Sequence, residues 1–208
     1  MNKKVLIIAP HLDDGKLGCG GTITKLLDQG MFIYYVAFSI GNIVDELNVN
    51  TNILLTECKD ACKSLGISDD KLILKLFPFR KLNEHRQEIL EILINLKHKI
   101  NPDIVFMPSS QSIHQDHKAV YLEGIRAFKH KTCYGYDLPW DTDNFKTSCF
   151  FTLDKRQLNL KIASLKMYAS LKDKTYMEEN FLKGLARVRG TQINVEFAEA
   201  FEAIRTVF

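Results

Sequence analysis

The chain has 208 residues, 46% of them hydrophobic and 25% charged, with a formal net charge of +3. That length suits one well-filled α/β domain and leaves two domains each near the small end of the usual range. The charges form no basic stripe and no run approaches the roughly 20 apolar residues that span a bilayer, so neither nucleic acid nor a membrane is expected as partner.

The five cysteines (Cys19, Cys58, Cys62, Cys133, Cys149) show no paired framework, and their odd number fits a stapled secreted fold poorly. A reducing cytoplasm is the expected setting. The opening MNKKVLIIAP imitates a signal peptide only briefly, because its apolar run meets His11, Asp13 and Asp14 at once.

In chain order, residues 5–9 read as a buried strand, and residues 18–27 have helix-compatible spacing. The alternation recurs as a strand over 32–38, a helix over 53–65 stopped by Gly66, and a strand over 72–76. A helix over 84–100 follows, closed by Asn101-Pro102; then come a strand over 103–107 and a helix over 116–128. After residues 133–137 the rhythm changes to a polar stretch around Trp140 to Lys146 and a strand over 148–153. Asp154 reads as the N-cap of a helix whose Leu158, Ile162, Leu165 and Ala169 share one face. This order predicts a single α/β domain, residues 1–208, with a mostly parallel, Rossmann-like sheet and helices on both faces. Ligands then bind outside the carboxyl ends of the strands.

Two clusters fall at such ends. APHLDDGKLGCGG, residues 9–21, sets an imidazole and two carboxylates before a run of glycines. His11 and one of Asp13 and Asp14 suit a borderline-soft divalent ion such as zinc, and the other aspartate is free to face a water. The plainer reading is a polar loop whose aspartates cap the next helix. SIHQDHKAV, residues 112–120, opens a helix with His114 and His117 three apart, and His117 can complete a ligand set of two histidines and an aspartate. The glycines invite a dinucleotide loop as rival, but Asp13 and Asp14 would repel a pyrophosphate; close packing of helix on sheet is their simpler use. Cys58 and Cys62 read as core, His85, His98 and His130 as solvated, and Ser109, Ser110 and Ser112 lack the G-x-S-x-G of a serine hydrolase. Arg187 and Arg189 form a small basic spot, either for an anionic group or at a helix end.

These residues resemble a known family. APHLDDGKLGCGG is similar to the A-H-P-D-D-E signature and its following glycines in the PIG-L/LmbE-like N-deacetylases, and HQDH is similar to their H-P-D-H motif. Glu57, Ala61, Leu65 and Gly66, then Pro102-Asp103, then Arg187 to Phe201 with RG and AEAF, extend the likeness over nearly the whole chain. The resemblance implies a zinc-dependent hydrolase that removes the acetyl group of an amino sugar, with His11, Asp14 and His117 as metal ligands. It implies Asp13 as general base, a protonated His114 facing the oxyanion, and Asp116 orienting and charging His114. Ferrous iron suits the same three ligands.

The chain also departs from the family. Leu12 replaces the common proline, and Gly15 replaces the common glutamate, which removes an acid from behind the ligands and softens the loop. Leu54, Leu55 and Thr56 stand where relatives carry an arginine for the sugar, and Ser170-Leu171 stands for their S-Q. Arg80 and Arg86 are available as replacement contacts. The expected partner is an acetamido sugar, and such sheets often form homo-oligomers. The other reading is a catalytically silent sugar-binding or scaffolding member of the same fold.

Overall fold

A computed structural model of the chain describes residues 2–39 and 51–207. Among the described residues, one sheet holds β1 (Lys4–His11), β2 (Phe32–Ser39), β3 (Leu72–Phe77), β4 (Ile104–Pro108), β5 (Thr132–Tyr136), β6 (Cys149–Leu153) and β7 (Phe197–Arg205). Their spatial order is β3-β2-β1-β4-β5-β7-β6. The first five strands pair in parallel, whereas β7 runs antiparallel to both β5 and β6. The expected α/β sheet, mostly parallel and covered on both faces, is therefore present.

The apolar run of β1 reflects burial on both faces, since alternate side chains enter different cores. Val5, Ile7 and Ala9 pack with α1 (Asp14–Asp28), α2 (Thr51–Ser64), α5 (Lys155–Leu165) and α6 (Glu179–Thr191). Leu6 and Ile8 pack on the other side with α3 (Arg86–Ile100) and α4 (Gln115–Ala127). No described helix is long and apolar enough to cross a membrane.

From β1 the chain moves outward to β2 and β3, then returns to β4 on the other side of β1. Loops leaving the carboxyl ends of β1 and β4 diverge around one crevice, where open α/β sheets bind ligands. Both predicted clusters leave the sheet at this switch point.

Helix α1 starts at Asp14, four residues before the expected start, because the Asp13 carbonyl already accepts the N–H groups of Lys16 and Leu17, both at 2.9 Å. It is interrupted at Cys19, whose φ of −143° is not helical. Near that break the Glu199 carboxylate accepts the N–H groups of Gly21 and Thr22, at 3.1 and 2.7 Å. The glycines do bring helix and sheet together: a Cβ on Gly18 would lie 2.5 Å from the Tyr136 ring. Asp154 caps α5 in a full capping box with Gln157. That helix ends at Leu165, so Ala169 lies beyond it and is exposed, and the buried place falls to Tyr168.

Helix α6 and strand β7 have no counterpart in the expected elements. Two acids hide β7, because Glu199 and Glu202 interrupt its apolar residues yet point inward to ligate other segments. Glu199 pairs with Lys161 of α5 at 2.7 Å, both side chains being 6% exposed. Removing one member of a buried pair strands the other charge, at a cost of about 3–5 kcal/mol. Lys161→Met should therefore lose about that much stability in urea denaturation, against a negligible change for the exposed Lys183→Met.

Candidate metal and catalytic centre

Strand β1 ends on His11 and turns directly into α1, so His11, Asp13 and Asp14 leave the sheet together. As the first residue of α1, Asp14 aims its carboxylate back at the strand end. Its Oδ2 accepts the His11 backbone N–H at 2.8 Å and lies 3.0 Å from His11 Nδ1. The same oxygen lies 3.2 Å from Nε2 of His117, in the first turn of α4. Ser112 Oγ, 3.2 Å from His117 Nδ1, fixes that ring from behind. All three side chains are more than nine-tenths buried.

Two imidazole nitrogens and one carboxylate oxygen thus converge from loops more than a hundred positions apart. Separations of 3.0 and 3.2 Å match neighbouring donors around an ion whose bonds are about 2.0–2.2 Å long. A histidine ligand commonly gives its second nitrogen to a carboxylate. His11 does so, with Nε2 3.0 Å from Asp116 Oδ2. Burial would lower the pKa of His11, but Asp14 and Asp116 on either side outweigh it and raise it to about 10. Burial likewise opposes ionisation of Asp14, yet His117 and His11 hold its carboxyl well below the usual range. A pocket that holds a proton this firmly is electrostatically fitted to a cation. The residues present fit a divalent ion held by His11, Asp14 and His117, and ring nitrogens of His11, His114 and His117 lie within 4.8 Å of one another.

Asp13 lines the cleft beside this cluster and makes no side-chain capping bond, so the plainer reading of a helix cap does not account for it. Burial and the neighbouring Asp14 charge push its carboxyl up to about 6. His114 caps α4, its Nδ1 accepting the Asp116 backbone N–H at 3.1 Å. A nitrogen that accepts there carries no proton, so the neutral ring keeps its proton on Nε2. Burial, then the charges of His117 and His11, lower the His114 pKa to about 4.

This geometry corrects the expected service of Asp116 to a charged His114. The Asp116 carboxylate faces His11 and accepts the N–H groups of Arg80 at 2.7 Å and Leu82 at 3.0 Å. Its backbone N–H is the group bonded to His114, and its carboxylate charge is outweighed there by burial and the neighbouring histidines, which lower the His114 pKa.

Nor does Gly15 soften the loop. The Leu12 carbonyl accepts from Lys16 Nζ at 2.7 Å, Tyr35 OH at 3.0 Å and Tyr168 OH at 2.9 Å. Lys16 is fully buried, its ammonium 4.0 Å from the Tyr35 ring centroid. Tyr35 and Ile7 occupy the space beside residue 15, and a Cβ there would meet both at 2.8 Å.

The remaining candidates lie elsewhere. Cys58 and Cys62 are buried core residues, His98 and His130 are exposed, and His85 pairs with Glu88. Ser109 and Ser110 hold Glu202 of β7. Arg86 pairs with Glu123 and Arg189 with Asp137, while Arg187 is exposed and donates to the Glu196 carbonyl. None of these three lines the cleft. Arg80 is exposed, with its guanidinium 5.0 Å from the ring centroid of Phe79, a cleft residue.

The cleft, about 140 Å³, is walled by Leu17 of the first motif, by Leu171 of the Ser170-Leu171 departure, and by Phe79, Trp140, Asp141 and Tyr176, which no motif announced. Trp140 and Asp141 follow β5, at the carboxyl end of a strand, and that position was the available signal. The composition around Tyr176 carries none.

Residues 6–128 match the profile of the family described as PIG-L: GlcNAc-PI de-N-acetylase. Over 140 residues the chain is 30% identical to the probable N-acetyl-α-D-glucosaminyl L-malate deacetylase 2 of Bacillus cereus, covering 61% of each chain. It is 33% identical over 133 residues to the diacetylchitobiose deacetylase of Thermococcus kodakarensis, covering 60% of this chain and 49% of that one. The match thus spans less than two thirds of the length of either relative. The solved N,N'-diacetylchitobiose deacetylase of Pyrococcus horikoshii superposes with a TM-score of 0.79 at 24% identity, over 96% of this chain and 83% of that one.

Crowding at residue 15 has a measurable consequence. Gly15→Ala should cost about 1–3 kcal/mol in chemical denaturation, as overpacked cores do. Gly184→Ala, in exposed helix with nothing within 4 Å of the new Cβ, should be neutral or stabilising.

Proposed function

Because the chain belongs to the PIG-L family of GlcNAc-PI de-N-acetylases, we propose that it hydrolyses the N-acetyl amide of an amino sugar or sugar conjugate, giving acetate and the free amine. The observation that carries this reading is the meeting of His11 Nδ1 and His117 Nε2 on one oxygen of Asp14, at 3.0 and 3.2 Å, beside a cleft lined by Asp13 and His114. Relatives with deacetylase names support the same chemistry.

In this proposal His11, Asp14 and His117 hold a zinc or ferrous ion, and Asp116 orients His11 from behind. When bound, such an ion polarises an acyl oxygen and makes water acidic near neutral pH. Asp13 takes the proton of the attacking water; a carboxylate with a raised pKa is a more effective base than an ordinary one. The same carboxyl then gives that proton to the departing nitrogen as the carbon–nitrogen bond breaks. His114 presents Nε2–H to the oxygen that gains negative charge, and a neutral donor fixed by its other nitrogen needs no reorganisation. Burial of His11, Asp13, Asp14, Asp116 and His117 keeps bulk water from these groups and strengthens their contacts, while half-buried His114 faces the cleft.

The test is acetate release from acetamido sugars by metal-loaded protein. Asp13→Asn should lower the rate by about 10²–10⁴-fold while leaving the bound metal in place. His117→Ala should lose the metal, and Asp116→Asn should weaken metal affinity by about 10–100-fold. Protein loaded with zinc or ferrous iron that releases no acetate from any acetamido sugar contradicts the proposal.

A further inference from the structure

The outer wall of the cleft is aromatic on one side and acidic at its edge, and neither feature is used by the hydrolytic residues. Trp140 stacks nearly parallel on Tyr176, with centroids 4.4 Å apart at 15°, and leans on Phe181 at 5.9 Å. It is 38% exposed, so one aromatic face is fixed while part of it stays open to the cleft. The neighbouring Asp141 lines the same cleft as His114 at the reacting end and Tyr176 in the aromatic wall.

This wall is built rigidly. Asp141 N–H donates to the Leu138 carbonyl at 2.8 Å, and the Asp141 carbonyl accepts from Ile113 N–H, also at 2.8 Å. Ser112 bridges to Thr142, so the loop is stitched to the segment that carries His114. Behind it, Arg189 holds Asp137 at 2.8 Å.

Resting on the hydrolytic reading above, we propose that Trp140 and Asp141 form a specificity subsite for an uncharged sugar ring, and that they disfavour conjugates whose aglycone carries carboxylates. A pyranose presents an apolar C–H face and a rim of hydroxyls. Trp140 offers the first a flat apolar surface, and the Asp141 carboxylate accepts from the second. An anionic aglycone lying along the outer wall meets the Asp141 carboxylate, and no described lysine or arginine lines that wall to receive it. Like charges brought together at a contact are a strong means of rejecting a competitor. Arg80, exposed beyond Phe79, lies outside that lining.

Trp140 is the single tryptophan of the chain, so its fluorescence reports this subsite directly. Metal-loaded Asp13→Asn protein is titrated with N,N'-diacetylchitobiose, which is uncharged, and with N-acetylglucosaminyl malate, which carries two carboxylates. The disaccharide should change Trp140 emission saturably and bind about tenfold tighter or more, a difference of about 1.4 kcal/mol. Adding Asp141→Asn should bring the two affinities together, chiefly by improving the malate conjugate; loss of a merely structural contact would weaken both alike. Equal or tighter binding of the malate conjugate, an unchanged ratio in the Asp141 variant, or calorimetric binding of the disaccharide with silent Trp140 would each overturn the subsite. Unmutated protein that releases no acetate while chitobiose still perturbs Trp140 would sink the hydrolytic reading and leave the subsite standing.

Discussion

The centre depends on one carboxylate oxygen serving two loops. Asp14 Oδ2 faces His11 from the end of β1 and His117 from the start of α4, and among the described residues no other side chain joins those histidines so closely. The contact is possible because β1 and β4 are adjacent parallel strands whose following helices lie on opposite faces of the sheet. Without a positive charge between them, a buried carboxylate and two imidazoles would be an expensive grouping. The fold therefore concentrates negative charge, from Asp14 and Asp116, around His11, and in the proposed function a bound cation is what relieves it.

Around that point the structure holds each loop from behind with buried polar groups. Glu199 of β7 secures the interrupted middle of α1 through Gly21 and Thr22. Glu202, on the same strand, secures the loop after β4 through Ser109 and Ser110, with contacts of 3.0, 2.8 and 2.6 Å. Lys16, Tyr35 and Tyr168 converge on the Leu12 carbonyl, between His11 and Asp13. The antiparallel strand β7 thus also supports both segments that carry the histidine and aspartate clusters. Such support is what keeps a catalytic set within the narrow tolerance its chemistry demands.

Much of this was legible in the residues alone, for definite reasons. Parallel strands buried on both faces leave unbroken apolar runs, and β1, β2 and β4 are such runs. His11, Asp13 and Asp14 stand out because three ionisable groups directly after a buried strand have little structural use. Strand β7 was not legible, because its buried Glu199 and Glu202 break the apolar alternation and their partners lie far away in the chain. The role of Asp116 was carried over from the resemblance rather than read from the residues, and its side chain is found against His11 and the Arg80 and Leu82 N–H groups. Gly15 seemed a loss until Tyr35, from β2, proved to fill the space beside it. The aromatic and acidic wall at Trp140 and Asp141 is formed by contacts between segments, and its one signal in the sequence is their position after β5.

The most direct measurement is anomalous diffraction at the zinc edge from crystals of zinc-loaded protein. The account predicts one ion bound by His11 Nδ1, Asp14 Oδ2 and His117 Nε2, with Asp116 hydrogen-bonded to His11 behind it. An ion that leaves Asp14 unligated, or a zinc signal found only away from these three residues, would contradict it.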